Sequence, residues 1–302
     1  MRILMVHGGV ETSSAAEYRD SLTEAALRGC RADAGSPLAA AEAAVNTLEN
    51  NPLFNAGYGS VLNLAGEVEM DAAIMDGQSG AFGGVGAIQK VANPVSVARK
   101  VLEETAHVLL VGAGAAAFAR SQGFPEADCV SETMRRSWLA ATAQREPERQ
   151  RISLMTGLPL SVHAGDTVGC LVCDDGHLAA ASSTGGSFLK LPGRVGDTPI
   201  VGGGILASEL GAVVCTGIGE AFIETMTAGY VQSLLREGHS PQAAAEQAIQ
   251  RLSQKKSLPG GVIVLDRHGN YGAAHNSHSF PVAVVVDGRV VADFAPAKLR
   301  MG

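Results

Sequence analysis

A threonine hydroxyl attacks an amide carbonyl only when a neighbouring base takes its proton. Thr167 stands where that base would be its own α-amine. It opens an apolar stretch, 167–173, that reads as a buried strand, and it follows a stretch of different texture, 134–165. There Arg135, Arg136, Arg145, Glu146, Glu148, Arg149, Gln150 and Arg151 crowd around Pro147. Such a segment is a poor core former and reads as a helix end followed by a mobile linker. Were the chain cut between Asp166 and Thr167, the new terminus would carry an amine titrating near about 7.7–8.0. Nucleophile and base would then sit in one residue. On spacing alone, a threonine at a strand start is an ordinary structural residue, and both roles stay open.

Other patterns carry weaker chemistry. Val111-Gly112-Ala113-Gly114-Ala115-Ala116-Ala117 matches the G-x-G-x-x-A of dinucleotide-binding turns. That fingerprint needs a βαβ unit with an acid at the end of the next strand. Here the chain runs into the charged segment instead, so the glycines read as a strand-to-helix turn. Cys170 and Cys173 form a C-x-x-C, but at odd spacing in one strand they face opposite sides of a sheet. No second pair completes a metal site, and both read as buried thiols. His275 and His278 read as solvated loop positions, and Lys255-Lys256 as a solvated helix end. Arg194 and Asp197, taken alone, read as a structural ion pair.

The elements that would position these residues follow from periodicity and punctuation. A short apolar run before His7-Gly8-Gly9 reads as a buried first strand. Helical patterns cover 13–28 and 37–49, the second with Ser36 as N-cap and Pro37 at the first helical position. A glycine-rich loop, 51–59, comes next, then apolar stretches at 72–75 and 83–91, a helix over 95–102 and a strand over 107–111. After the linker, strands at 167–173 and 178–182 flank an Asp174-Asp175-Gly176-His177 turn. A strand at 213–216 follows, with helices over 220–237 and 241–254. Strands at 262–266, 272–274 and 282–286 close the order. Strands and helices come in groups rather than in regular alternation, which predicts mostly antiparallel sheets stacked between helical layers.

Composition narrows the partners. Among 302 residues 46% are apolar, enough for a sizeable core, while only 4% are aromatic and 37 are glycine. Packing must therefore rely on small residues and bare backbone. A formal net charge of −7 disfavours nucleic acid. The first apolar run is too short for a secretory signal or a membrane span, and five scattered cysteines fit reduced thiols, so a cytoplasmic protein with no membrane partner is expected.

Several ordered segments resemble the plant-type asparaginase / isoaspartyl peptidase family. They are His7-Gly8-Gly9; Asn51-Pro52-Leu53-Phe54-Asn55-Ala56-Gly57; Met70-Asp71-Ala72-Ala73-Ile74-Met75-Asp76-Gly77; Asp166-Thr167-Val168-Gly169-Cys170; Ser182-Ser183-Thr184-Gly185-Gly186; Leu191 to Pro199; and Thr216-Gly217-Ile218-Gly219-Glu220. The likeness runs along nearly the whole chain, and several motifs in order are far more specific than any one of them. The resemblance implies an α+β fold, the four-layer αββα sandwich of N-terminal-nucleophile hydrolases. It implies a precursor that forms one structural domain and cuts itself into an α subunit, 1–166 with the linker at about 134–166, and a β subunit, 167–302. Processed αβ units would pair as a homodimer.

The implied activity is hydrolysis of β-aspartyl (isoaspartyl) peptides and L-asparagine to L-aspartate, with a small-molecule or short-peptide substrate. By resemblance Thr167 is the nucleophile of both cleavages and Thr184 supports it. Arg194 takes the substrate α-carboxylate as a two-pronged fork, and Asp197 takes the α-ammonium. The Thr216 hydroxyl and the Gly217 N–H form the oxyanion hole. Asn55 assists from the glycine-rich loop, and His7, Gly8 and Gly9 pack beside the Asp166–Thr167 bond. No organic cofactor is implied. A structural sodium ion is, held by main-chain carbonyls of Leu48, Glu49, Asn51, Phe54, Ala56 and Tyr58. The Asp-Thr junction is more like glycosylasparaginase, so hydrolysis of N-glycosylated asparagine is the alternative substrate reading. An uncleaved, non-catalytic homologue is the alternative of another class.

Overall fold

The computed structural model describes residues 1–33, 35–143, 167–255 and 258–294. The chain begins with β1 (Arg2–His7), α1 (Ala16–Arg31) and α2 (Pro37–Glu49). In α2 the Ser36 side chain accepts the Ala39 N–H at 3.3 Å and Pro37 takes the first position, as the sequence predicts. The hairpin of β2 (Met70–Asp76) and β3 (Phe82–Ile88) follows, with α3 (Pro94–Glu104), β4 (Leu109–Val111), α4 (Gly112–Ser121) and α5 (Glu132–Ala143). Beyond 166 come β5 (Val168–Asp174), β6 (His177–Thr184), β7 (Ile205–Ala207) and β8 (Gly211–Gly217). The described chain ends with α6 (Gly219–Thr225), α7 (Thr227–Arg236), α8 (Pro241–Lys255), β9 (Gly260–Asp266), β10 (Tyr271–His275), β11 (Val282–Val286) and β12 (Arg289–Phe294).

The strands form two sheets, one of eight strands in the order β12-β11-β1-β5-β6-β2-β3-β4 and one of four in the order β10-β9-β8-β7. Among the described strands, all ladders are antiparallel except that of β3 with β4. Three cores separate the elements. Leu4, Val6, Val168, Cys170, Ala179 and Ala181 join side chains of α1 to α5 on one face of the large sheet. Ile3, Met5, Leu171, Cys173, Ala212, Val214, Ile263 and Leu265 fill the slot between the sheets. Val213, Cys215, Val262 and Val264 pack against α6, α7 and α8 on the outer face of the small sheet. Neighbours along each strand alternate between cores, as the two-residue pleat requires. Cys170 and Cys173 accordingly lie in different cores, and the five cysteines are free.

Several elements depart from the pattern read in the sequence. The helix expected over 220–237 is two, because Met226 adopts a left-handed φ of 50° between α6 and α7. The Gly112–Gly114 segment, by contrast, is the expected strand-to-helix turn: it opens α4 after the short edge strand β4, and among the described residues no strand lies beyond β4 in the sheet. Part of the charged stretch is helical: α5 covers 132–143, Met134 is buried, and the Trp138 indole N–H donates to Asn63 O at 2.9 Å. The rest of the expected linker, with Asp166, lies outside the described residues, as does Lys256. His275 is not solvated. The strand β10 runs on to include it, and the pleat turns it against Phe280 with ring centroids 5.8 Å apart, leaving it 2% exposed.

Bare backbone sets how closely layers approach. A Cβ built on Gly83 of β3 would stand 2.1 Å from Ala98 O of α3. Gly83→Ala is therefore expected to push α3 from the sheet and cost about 1–3 kcal/mol. Chemical denaturation of the variant would measure this, and an unchanged midpoint would contradict the packing argument.

Candidate active site

The pleat gathers polar residues at one end of the slot between the sheets. In β1, β2, β5, β6 and β8 the slot-facing residues are apolar along most of each strand and become His7, Asp71, Gly169, Thr184 and Thr216 at one end. The register confirms the alignment: His7 pairs with Gly169, Val168 with Ser183, and Asp71 with Thr184. Extending the β5–β6 register one step sets Thr167 beside Thr184. Thr167, Thr184 and Thr216 are 3%, 2% and 0% exposed. Thr216 bridges the sheets: its hydroxyl donates to Thr167 O at 3.5 Å and accepts the Val10 N–H at 3.4 Å.

The backbone around Thr184 is braced by Asn55. The Asn55 amide donates to Gly186 O at 2.8 Å, its side-chain oxygen accepts the Val61 N–H at 3.0 Å, and its own carbonyl accepts the Gly185 N–H at 2.9 Å. Thr184 Oγ1 in turn accepts the Gly186 N–H at 2.9 Å. The glycine-rich loop is thereby tied to the segment that follows β6. Gly217 ends β8 at φ 139°, a conformation that favours glycine, directly after Thr216.

Charged groups line the next layer. Arg194 is engaged by Glu220, with Nε to Oε1 at 3.0 Å and Nη2 to Oε2 at 2.8 Å. The two-pronged face of Arg194, expected to meet a substrate, is thus held by a protein carboxylate, and Nη1 lies outside that fork. Burial works against the Arg194 charge, but Glu220, Asp71 and Asp197 more than offset it and raise its pKa. Asp197 is 4% exposed, and a Cβ on Gly219 would lie 2.7 Å from its Oδ1 and 2.9 Å from Arg194 Nη2. Asp71 accepts two N–H groups, from Ala87 and Gly196, each at 2.8 Å, which fixes the Arg194 loop to the slot. Lys190, 3% exposed, donates to Glu69 O at 2.6 Å. Burial, and Arg194 beside it, lower its pKa against the pull of Asp71 and Glu69.

Two further groups are buried and uncharged in the fold. His7 Nδ1 accepts the Gly9 N–H at 3.1 Å, and burial pushes its pKa down to about 3. Glu49, at the end of α2, accepts the Val95 N–H and the Asn93 amide at 3.0 and 3.1 Å, yet burial raises its pKa to about 8. Around it the loop winds tightly. A Cβ on Gly57 would lie 2.1 Å from Glu49 O, and one on Gly59 1.9 Å from Phe54 O. The carbonyls of Leu48, Asn51, Phe54 and Ala56 each accept one backbone N–H, leaving a second lone pair on each. These neutral oxygens fit a hard monovalent cation.

Of the residues singled out in the sequence, Thr167, Thr184, Thr216 and His7 meet at the slot end, with Asn55, Arg194 and Asp197 in the surrounding loops. Asp71, Lys190, Glu69 and Glu220 lie among them, although local pattern assigns none of the four a role. Asp71 carried a signal, a lone acid inside the apolar run Met70–Met75. Lys190 carried none, since its neighbours in sequence do not reveal its burial.

The asparaginase family model matches residues 1–292. The chain is 44% identical over 301 residues to a plant-type L-asparaginase of Pyrococcus furiosus, covering 95% of this chain and 97% of that one. It is 37% identical over 296 residues to the isoaspartyl peptidase/L-asparaginase of Xenopus laevis, covering 94% and 92%. With the mouse protein of the same name it shares 37% over 298 residues, covering 96% and 90%.

The two buried neutral groups each contribute to the pH dependence of stability. Between about 6.5 and 3 the unfolded chain binds a proton at His7 that the folded chain refuses, so this contribution, full above 6.5, is lost as the pH falls. Between 4.5 and about 8 the folded chain keeps a proton on Glu49 that the unfolded chain releases. That contribution, full below 4.5, is lost as the pH rises. Glu49→Gln is expected to remove on the order of 3 kcal/mol from the fall in stability between pH 5 and 8. Urea midpoints across that range provide the measurement, and parallel curves for parent and variant would assign the titration elsewhere.

Proposed function

Because the chain belongs to the asparaginase family, we propose that it is a self-processing threonine amidohydrolase converting L-asparagine and β-aspartyl peptides to L-aspartate. The observation that carries the reading is the contact between Thr216 and Thr167 across the two sheets, beside Thr184. Through the Thr167 main-chain carbonyl it sets the residue proposed as nucleophile next to a hydroxyl able to donate to the oxyanion, in a buried setting. The fold is the four-layer αββα sandwich of N-terminal-nucleophile hydrolases, a reading supported by the three cores that separate two sheets and two groups of helices.

In processing, Thr167 Oγ adds to the Asp166 carbonyl carbon and the C–N bond breaks in an N→O acyl shift. Water then hydrolyses the ester, leaving 1–166 and 167–302 as α and β subunits. The His7-Gly8-Gly9 segment packs beside the bond that is cut. In turnover the freed α-amine takes the Thr167 hydroxyl proton as Oγ bonds to the substrate side-chain carbonyl. The tetrahedral oxyanion accepts hydrogen bonds from the Thr216 hydroxyl and the Gly217 N–H. The proton passes to the departing ammonia or peptide amine. Water next adds to the aspartyl ester, Thr167 Oγ leaves with a proton, and L-aspartate is released. Arg194 holds the α-carboxylate and Asp197 the α-ammonium, while Thr184 and Asn55 keep the nucleophile in place.

The carbonyls of Leu48, Glu49, Asn51, Phe54, Ala56 and Tyr58 would hold a structural sodium ion, which supplies no step of the reaction. Two processed units pair as a homodimer in the cytoplasm, a reading that rests on the family resemblance and on the free cysteines. The Asp-Thr junction keeps N-glycosylated asparagine as a second substrate to assay.

Thr167→Ala is expected to abolish both the appearance of two fragments and hydrolysis, and Thr167→Ser to retain some of each. Denaturing mass measurement with an ammonia-release assay decides this. Normal fragments from the alanine variant would remove Thr167 from processing, and one intact chain from the parent would favour a non-catalytic homologue.

Replacing sodium by tetramethylammonium at equal ionic strength is expected to lower the melting temperature of the parent. Gly57→Ala, whose side chain would strike Glu49 O, should lose that dependence. A parent indifferent to the exchange would rule the ion out.

A further inference from the structure

We propose that Lys190 is a second cation of the substrate α-carboxylate subsite, acting beside Arg194; the inference rests on the amidohydrolase reading given above. Lys190 lies on the loop between β6 and β7, and its ammonium is almost wholly out of water. An ammonium carries three donors. Among the described residues, the one hydrogen bond of Nζ goes to a neutral carbonyl, Glu69 O.

Its position relative to Arg194 gives the site its shape. A Cβ built on Gly186 would lie 2.8 Å from Lys190 Nζ and 3.2 Å from Arg194 Nη1. The two cations therefore flank the same bare α-carbon, at φ 73°, where a side chain would fill the space between them. Nη1 is the Arg194 nitrogen outside the Glu220 fork. Glu69 accepts the Gly193 N–H, Asp71 accepts the Ala87 and Gly196 N–H groups, and Glu220 holds the other face of Arg194.

Glu220, Asp71 and Asp197 offset the Arg194 charge, whereas the Lys190 ammonium, costly to bury, is hydrogen-bonded to a neutral carbonyl. A substrate carboxylate between the two cations would take one donor from Arg194 Nη1 and one from Lys190 Nζ. This also answers the question raised by Glu220, which occupies the arginine face expected for substrate. The placement suits the reaction, because Gly186 is one hydrogen bond from Thr184, the neighbour of Thr167. The chemical consequence is selection for a free α-carboxylate. Substrates in which it is absent or amidated lose both cations at once.

The test compares processed parent, Lys190→Met and Lys190→Arg on L-asparagine and on 3-aminopropanamide, the same amide and ammonium without the carboxylate. Lys190→Met is expected to raise the KM for L-asparagine ten-fold or more and to cut the preference for it, as a ratio of kcat/KM values, by at least ten-fold. Lys190→Arg should keep most of the preference. If Lys190→Met lowers kcat/KM on both substrates equally, Lys190 is a strut for Glu69 and the proposal falls. Arg194→Gln, run in parallel, separates the two levels. If it too keeps the preference, the carboxylate side of the site has been misassigned as a whole. If it loses the preference while Lys190→Met keeps it, only Lys190 is wrong. Should Lys190→Met fail to fold or mature, the Lys190 13Cε resonance of the parent, assigned with Lys190→Arg, gives the answer. It should shift on adding L-aspartate and stay fixed on adding β-alanine. No response to L-aspartate would overturn the proposal.

Discussion

Polar groups at the end of the slot between the two sheets have no bulk water to bind, and the rest of the site is arranged around that constraint. A buried donor or acceptor left unmade costs about 1–3 kcal/mol, more when charged. The structure meets the cost with main-chain groups wherever it can. Asp71 takes two N–H groups, Asn55 uses both ends of its amide on backbone, and Thr216 spans the sheets to Thr167 O. Each such bond also fixes a distance. The same groups that repay desolvation hold the Arg194 loop, the glycine-rich loop and the strand of Thr167 in one frame.

The proposed cut before Thr167 would leave the frame in place because of where β5 sits. It lies inside the large sheet, paired on one side with β1 and on the other with β6. A new terminus there would be held by two ladders and by apolar side chains on both faces of the sheet. Proposed processing thus frees an amine without freeing the strand that carries it. Close approach of backbone is the second requirement. Gly57, Gly59, Gly186 and Gly219 each stand where a Cβ would strike a carbonyl or a charged group of the site. A chain with 37 glycines and 4% aromatic residues is suited to such contacts.

Much of the architecture was already present in local pattern. Ser36-Pro37 set the start of α2, the alternation of Val168 to Cys173 assigned two faces to β5, and Asp175-Gly176 marked the hairpin to β6. The ordered motifs pointed to the family whose model matches the chain, and to Thr167 as the nucleophile proposed for it. These features are read from residues a few positions apart, where backbone preference and pleat period act directly. What local pattern could not supply was pairing at a distance. The glutamate on the fork of Arg194 comes from α6, the donors that hold Asp71 come from β3 and from the loop between β6 and β7, and the burial of His275 follows from Phe280 closing over it. Lys190 looked like any loop lysine. Only the folding of β2 and the 187–196 loop onto each other removed it from water and set it beside Arg194, because burial and charge proximity are sums over the whole chain rather than properties of a segment.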